Sequence, residues 1–415
     1  MKQKIWLGVG VAVLAGAASV TPASAPVSGI FGAAASFAEG GEGGEGGGPV
    51  SYSLASNNPG EFEYDARPHI EAYAMLVADS YATAAAAAEK LQEAVGAFLA
   101  EPTEARLDSA RKAWIAARPA YLVTETFRFY DGPIEDVEGR INAWPLNEAA
   151  IDYVEGDAKA GIVNDASRPL AIDELIAANQ ASDEADVTTG WHAIEFLLWG
   201  QDLSEKGPGA RPASDYAPGK GANDRRRTYL AAVTKQLVDD LRLLHSSWTT
   251  SDGDAYLAKF LGLPQREAIG RILNGMAILA GFEFMSERLA VALDSGDQED
   301  EHSCFSDTTK QDFRYDLEGI KAVWTGKGPV AQRPGLESLV ASRDKALAAK
   351  VSALIGEAGK KIAALGDPWD RVLATPAGSP ERLAAEALVE TLRDLGKALT
   401  ESGRKLGVLV LIPSA

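Results

Sequence analysis

A chain of 415 residues, 46% hydrophobic and 24% charged, has the material for a large buried core and is longer than one core usually sustains, which excludes a wholly disordered polymer and predicts two domains. Its formal charge of -19 repels phosphate backbones and anionic membranes and attracts cations, so nucleic acid is not an expected partner. The single cysteine, Cys304, forbids an intrachain disulfide and, beside Phe305, reads as a small buried residue.

In chain order, Lys2 and Lys4 precede an apolar run from Ile5 that continues through small residues to Ala18, followed by Ala23-Ser24-Ala25. This is the layout of a secretory signal peptide over residues 1–25, with a second small-residue cleavage site at Ser36-Phe37-Ala38 that would extend it to 38. No cysteine stands near it to take a lipid, so export as a soluble protein to the bacterial periplasm or envelope is expected, with no transmembrane anchor in the mature chain. Residues 39–67, rich in Gly and Glu, read as a flexible tether. From Ile70 to Leu99 the apolar residues Tyr73, Leu76, Val77, Tyr81, Leu91, Val95 and Phe98 recur at three- and four-residue steps and predict a long helix. Further helices are expected over Glu104–Thr126, Thr189–Trp199, Asp224–Trp248, Pro264–Leu293, Ser338–Leu365 and Pro380–Leu406. Strand patterns are nearly absent. The expected fold is all-α, with two helical-bundle domains packed together, 68–250 and 251–415, divided where Thr249 to Asp254 interrupt the helices. The longest non-helical stretches are Tyr130–Asn147, Gly200–Asn223 and Ser295–Asp307.

The densest chemical signal is Gly190-Trp191-His192-Ala193-Ile194-Glu195-Phe196. On a helix, His192 and Glu195 project from one face, either to hold one metal ion or to hydrogen-bond within a core. A zinc peptidase usually carries His-Glu-x-x-His or its inverse. Here Phe196 follows Glu195, and the other histidines are His69, His245 and His302. One imidazole with several carboxylates suits iron, manganese or calcium better than zinc. Glu283 and Glu287, one turn apart among Phe and Met, are either further ligands or partners of Arg288. The acidic run Asp294 to Asp307, with Asp297 and His302 among its donors, either binds a hard cation or is a solvated surface; its spacing is not that of an EF-hand.

The motif Gly190-x-His192-x-x-Glu195 resembles the GxHxxE signature of the imelysin (M75 peptidase-like) family. So do Gly200-Gln201-Asp202, Pro208-Gly209-Ala210-Arg211-Pro212, Trp144-Pro145-Leu146, Ile151-Asp152-Tyr153 and the run from Asp294 to Asp307, most closely in the family's iron-regulated branch. The resemblance covers roughly residues 60 to 330. It implies a two-domain helical-bundle fold, a place in the cell envelope and a role in iron or other metal acquisition; the family name implies peptidase activity as well. It also points to Glu125, on the helix carrying Trp114, Arg118 and Tyr121, as a third ligand, although Arg118 or Arg128 could instead neutralise that carboxylate. The expected metal site is therefore His192, Glu195, Glu125 and Glu283, with Glu287, Asp297, Asp131 and His302 as secondary candidates and no catalytic residue assigned. Iron or another divalent or trivalent cation, bare or chelated, is the expected ligand, and envelope iron-uptake proteins are possible partners. The alternatives are a metal-dependent peptidase, which a third imidazole beside His192 would favour, and a scaffold or receptor partner, which an exposed aromatic-rimmed patch would favour.

Overall fold

The computed structural model describes residues 62–413 apart from 205 and 220; the expected signal peptide and nearly all of the tether lie outside the described residues. Among the described residues there are helices and no strands, with two isolated β-bridges, Val154 to Asp157 and Lys327 to Gln332.

The first helix, α1 (Arg67–Ala100), starts with a proline in its opening turn, where the missing N–H costs nothing, and buries the apolar stripe from Ile70 to Phe98. It packs against α2 (Glu104–Leu122), whose N-terminus is capped by Thr103, and later against α4 (Gly221–Ser247). Between them runs α3 (Gly190–Trp199), short and buried on every side, in contact with both α2 and α4. A helix apolar all round can only be a core helix, which is why its two polar residues matter.

A second group of helices packs together. It begins with α5, which runs as α-helix over Gln265–Ile278, widens to a π-helix over Leu279–Ala290 and returns to α-helix over Val291–Ser295. It continues with α6 (Thr309–Thr325), α7 (Leu336–Arg343), α8 (Lys345–Ala364) and α9 (Pro380–Lys405). Helix α9 packs on α5 and α8, and α6 packs on α8 and also on α2, joining the two groups. Backbone approach there is close: a Cβ on Gly275 of α5 would lie 2.4 Å from the Thr126 carbonyl oxygen, and one on Gly319 of α6 would lie 2.5 Å from that of Val123. The turn after α2, which carries Glu125, is thus clamped from two sides by helices that can reach it only through glycine.

Several elements differ from expectation; the helix expected over Glu104–Thr126 ends at Leu122 and leaves Glu125 in a separate 3₁₀ turn, Glu125–Phe127. The stretch Ser338–Leu365 is two helices, because Asp344 leaves the helical conformation and its side chain caps α8 by accepting from Leu347 N at 3.0 Å. Helix α6 was not expected, although Phe313, Leu317, Ile320 and Trp324 form an ordinary helical stripe, all buried.

Candidate functional site

Helix α3 begins at Gly190 with φ of +85°, where a Cβ would sit 2.3 Å from the Ile141 carbonyl oxygen. The motif glycine is therefore required both by its left-handed backbone and by the tightness of the contact. Trp191 packs edge-on to Trp114 of α2, and Trp114 Nε1 donates to the Trp191 carbonyl at 3.1 Å, fixing the rotation of α3 against α2. That rotation turns His192 and Glu195 together toward α2 and the end of the acidic run.

His192 Nδ1 lies 3.0 Å from Glu195 Oε2, while Glu195 Oε1 accepts from Ser306 N at 3.0 Å and Ser306 Oγ at 2.6 Å. On the other side of the ring, His192 Nε2 is 3.1 Å from Arg118 Nη2, and the same Nη2 is 3.4 Å from His302 Nε2. His302 Nδ1 is in turn 2.7 Å from Asp312 Oδ2, which also accepts from Ser303 Oγ at 2.5 Å. The two imidazoles are edge to face with centroids 4.8 Å apart. Arg118 donates from Nη1 to Asn142 Oδ1 and lies over the faces of Trp114, Tyr121 and Trp191. Because an arginine can only donate, both Nε2 atoms are acceptors, both Nδ1 atoms carry the hydrogen, and each ring donates to a carboxylate. Neutral rings agree with the electrostatics: burial, then neighbouring cations including Arg118, push both histidines well below their ordinary pKa. Burial raises Glu195 to about 8 against the pull of its Ser306 hydrogen bond, and raises Asp312 as well. His192, Glu195, Arg118, His302 and Asp312 are each at most 1% exposed.

Glu125 and Glu283 belong to a neighbouring buried network. Arg288 bonds Glu125 Oε2 at 2.5 Å, Glu283 Oε1 at 2.9 Å and Asp316 Oδ2 at 3.0 Å. Arg128 bonds Glu125 at 2.8 Å and approaches Glu138 at 3.4 Å. The π-helix makes part of this possible, since its hydrogen bonds run to the fifth residue and bring side chains five apart, such as Glu283 and Arg288, nearly into line. Burial acts to raise Glu125, but Arg128 and Arg288 overcome it and hold that carboxyl well below the usual range. With four carboxylates facing two guanidiniums, the remaining charge is relieved by protons: burial raises Glu138 to about 7 and Asp316 to about 8.

The secondary candidates scatter. His302 joins His192. Glu287 is half-buried beyond the network, Asp131 is exposed in the loop after α2, and exposed Asp297 caps the turn Gln298–Asp300 by accepting from Glu299 N at 3.1 Å. Cys304 is buried, and its thiol is pushed up by burial and by Glu195. Arg118 as the hub of the imidazole centre, together with Asp312, Asn142, Ser306, Asp316 and Glu138, escaped the sequence reading. The one available signal was the pair Asp312 and Asp316, four apart on the apolar face of α6.

Comparison with known proteins finds relatives in sequence and in fold. The imelysin family model (peptidase M75) matches residues 77–397. Iron-regulated protein A of Synechococcus elongatus is 24% identical over 328 residues, spanning 77% of this chain and 81% of the relative. Two crystal structures share the fold. One, described as an iron-regulated protein A precursor from Parabacteroides distasonis, has a TM-score of 0.64 at 17% identity and covers 86% of this chain and 98% of its own. An imelysin-like protein from Psychrobacter arcticum has a TM-score of 0.61 at 14% identity and covers 85% of this chain and 99% of its own.

Proposed function

The chain belongs to the imelysin family, and from that premise we propose that it is an exported, iron-related protein that takes up a metal ion at the imidazole centre of His192 and His302. The observation that supports this reading is the convergence of both Nε2 atoms on the point where Arg118 Nη2 lies, with a carboxylate behind each ring. Carboxylate-backed imidazoles are the usual way a protein fixes tautomer and aim for a metal. Imidazole with carboxylate also suits iron and manganese. The donors fit a cation in kind, and a guanidinium fills the same place. Two unit charges 4 Å apart repel by about 4 kcal/mol at an effective dielectric of 20, so the ion and Arg118 exclude one another and loading requires Arg118 to turn away. Glu195 and Asp312 orient the rings. Glu125 and Glu283, tied to Arg288, set the field behind the centre. Export rests on the leader read at residues 1–25, and no described helix is long and apolar enough to cross a membrane.

The test is anaerobic titration of wild type, His192→Ala and His302→Ala with iron(II), alongside thermal melts. Loss of binding in both variants with folding retained is expected; equal binding in all three would sink the assignment. One observation favours a second reading, a metal-dependent peptidase, because His302 supplies the second imidazole that a catalytic zinc needs. Against it, the near-complete burial of the centre leaves no room for a polypeptide. Chelator-sensitive cleavage of an unfolded substrate, lost in Glu195→Ala, would put that reading first.

A further inference from the structure

Three segments meet away from the imidazole centre. The loop after α3 brings Asp202, the end of the acidic run brings Glu301 and Asp307, and the single turn Asp370–Leu373 brings Asp370. One carboxylate oxygen from each of Asp202, Asp307 and Asp370 lies within 4.8 Å of the other two. Asp370 is 2% exposed and Asp202 is 3% exposed, yet neither oxygen of Asp370 has a hydrogen-bond partner, nor does Asp202 Oδ2 or Asp307 Oδ1. The other Asp202 oxygen accepts from Ser204 N at 2.9 Å. Glu301, fully buried, stands against Asp370 and Thr309.

The contrast with the Arg288 network is chemical. There, buried carboxylates have guanidiniums; here, among the described residues, no lysine or arginine is ion-paired with any of the four. Buried carboxylates without a counter-charge are costly and must take up either protons or a cation.

We propose that Asp202, Asp307 and Asp370, backed by Glu301, form a binding site for a hard divalent cation of the calcium class, separate from the imidazole centre. The donors are all oxygen, which selects against zinc and copper and for calcium, magnesium or manganese. Opposite oxygens around one calcium stand about 4.6–5.2 Å apart, twice the usual calcium–oxygen distance, so the cluster can close on such an ion without rearrangement. The consequence reaches the first site. Asp307 adjoins Ser306, which holds Glu195, and Glu301 adjoins His302; an ion here pins the acidic run against α3 and so fixes two elements of the imidazole centre.

The test uses the full chain stripped with chelator. Calorimetric titration with calcium, magnesium and manganese is run on wild type, Asp370→Asn, Asp307→Asn and His192→Ala, with melting temperatures measured with and without calcium. Wild type and His192→Ala should bind one equivalent and melt higher with the ion. Each Asn variant should lose about tenfold or more in affinity and show no calcium-induced shift. Without the ion, Asp370→Asn should melt no lower than wild type, because the amide removes a buried charge, and Asp307→Asn at the half-exposed rim guards against a folding failure. Wild type that binds none of the three ions, or Asn variants that bind as wild type does, would overturn the proposal. Iron(II) titration of the same proteins separates it from the imidazole assignment, since His192→Ala should lose iron binding outright, whereas the Asn variants, which keep both imidazoles, should bind iron with at most reduced affinity.

Discussion

The imidazole centre and the Arg288 network lie side by side in one core and are equally dry, and each holds a central guanidinium, Arg118 in the first and Arg288 with Arg128 beside it in the second, but by opposite means. Arg288 is held by charge: Glu125, Glu283 and Asp316 all bond it, and removing it takes a shared cation from three buried carboxyl groups while Arg128 stays on Glu125. Arg118 is held mainly by the neutral lone pairs of His192 and His302, by Asn142 and by aromatic faces, with its nearest carboxylate, Asp312, 3.8 Å away. A cation bound by neutral donors can be exchanged for another cation without stranding a charge. A cation that neutralises buried acids cannot. On the proposed function, the difference makes the first region the one where cations exchange and the second a fixed strut.

The largest expected effect follows directly. Arg288→Met should destabilise the fold by about 3–5 kcal/mol, the usual result of breaking a buried ion pair from one side. Arg118→Met should cost less, about 1–3 kcal/mol for unsatisfied hydrogen-bond partners, and should tighten iron(II) binding by removing the competing charge. Denaturant melts and metal titration of the two variants measure both numbers. If Arg118→Met is the more damaging, or weakens metal binding, the distinction between strut and exchange site fails.

How much of this was legible beforehand follows from which forces leave a periodic trace. The stripe from Ile70 to Phe98 and the all-apolar surroundings of His192 declare helices and burial, because side-chain periodicity is written directly into the sequence. The partnership of His192 with Glu195 was visible for the same reason, as a local pair three apart. His302 and Asp312 were not placed, because they reach the centre through loop and helix contacts 110 and more residues from His192 in the chain. The π-helix was invisible too: no spacing rule distinguishes Leu279–Ala290 from an ordinary amphipathic helix, and it is the widened turn that puts Arg288 beside Glu283.

A smaller effect sharpens the account of the strut. Burial raises Asp316 from 3.8 to about 8, against the opposing pull of Arg288. Between pH 4 and 8 the unfolded chain ionises this group while the folded protein keeps it protonated, so the unfolded state binds fewer protons and stability falls as pH rises through that window. The contribution is full below pH 4 and gone above 8. Asp316→Asn, which cannot ionise, should flatten the decline in melting temperature over that range, and Glu138, raised to about 7, should account for part of any residue. An unchanged slope would mean that the carboxylates of this network do not share their deficit of positive charge in this way.

The smallest expected effect tests the π-helix itself. Glu283 and Glu287 are four apart, and on a regular α-helix they would share a face and titrate as neighbours. In the widened helix residues four apart still lie near one face; Glu283 is bonded to Arg288, while Glu287 is half-buried, its pKa raised by burial and also by the Glu283 charge. Glu283→Gln should therefore destabilise by about 1–3 kcal/mol, as expected when a buried charged hydrogen bond is lost. Glu287→Gln should fall within roughly 0.5 kcal/mol of wild type. Denaturant melts of the two single variants and the double variant decide the matter. A small coupling, well below the Glu283→Gln effect, is expected from the repulsion between the two carboxylates. A coupling energy comparable to the Glu283→Gln effect would place both glutamates on Arg288 and make the strut larger than its three bonded acids.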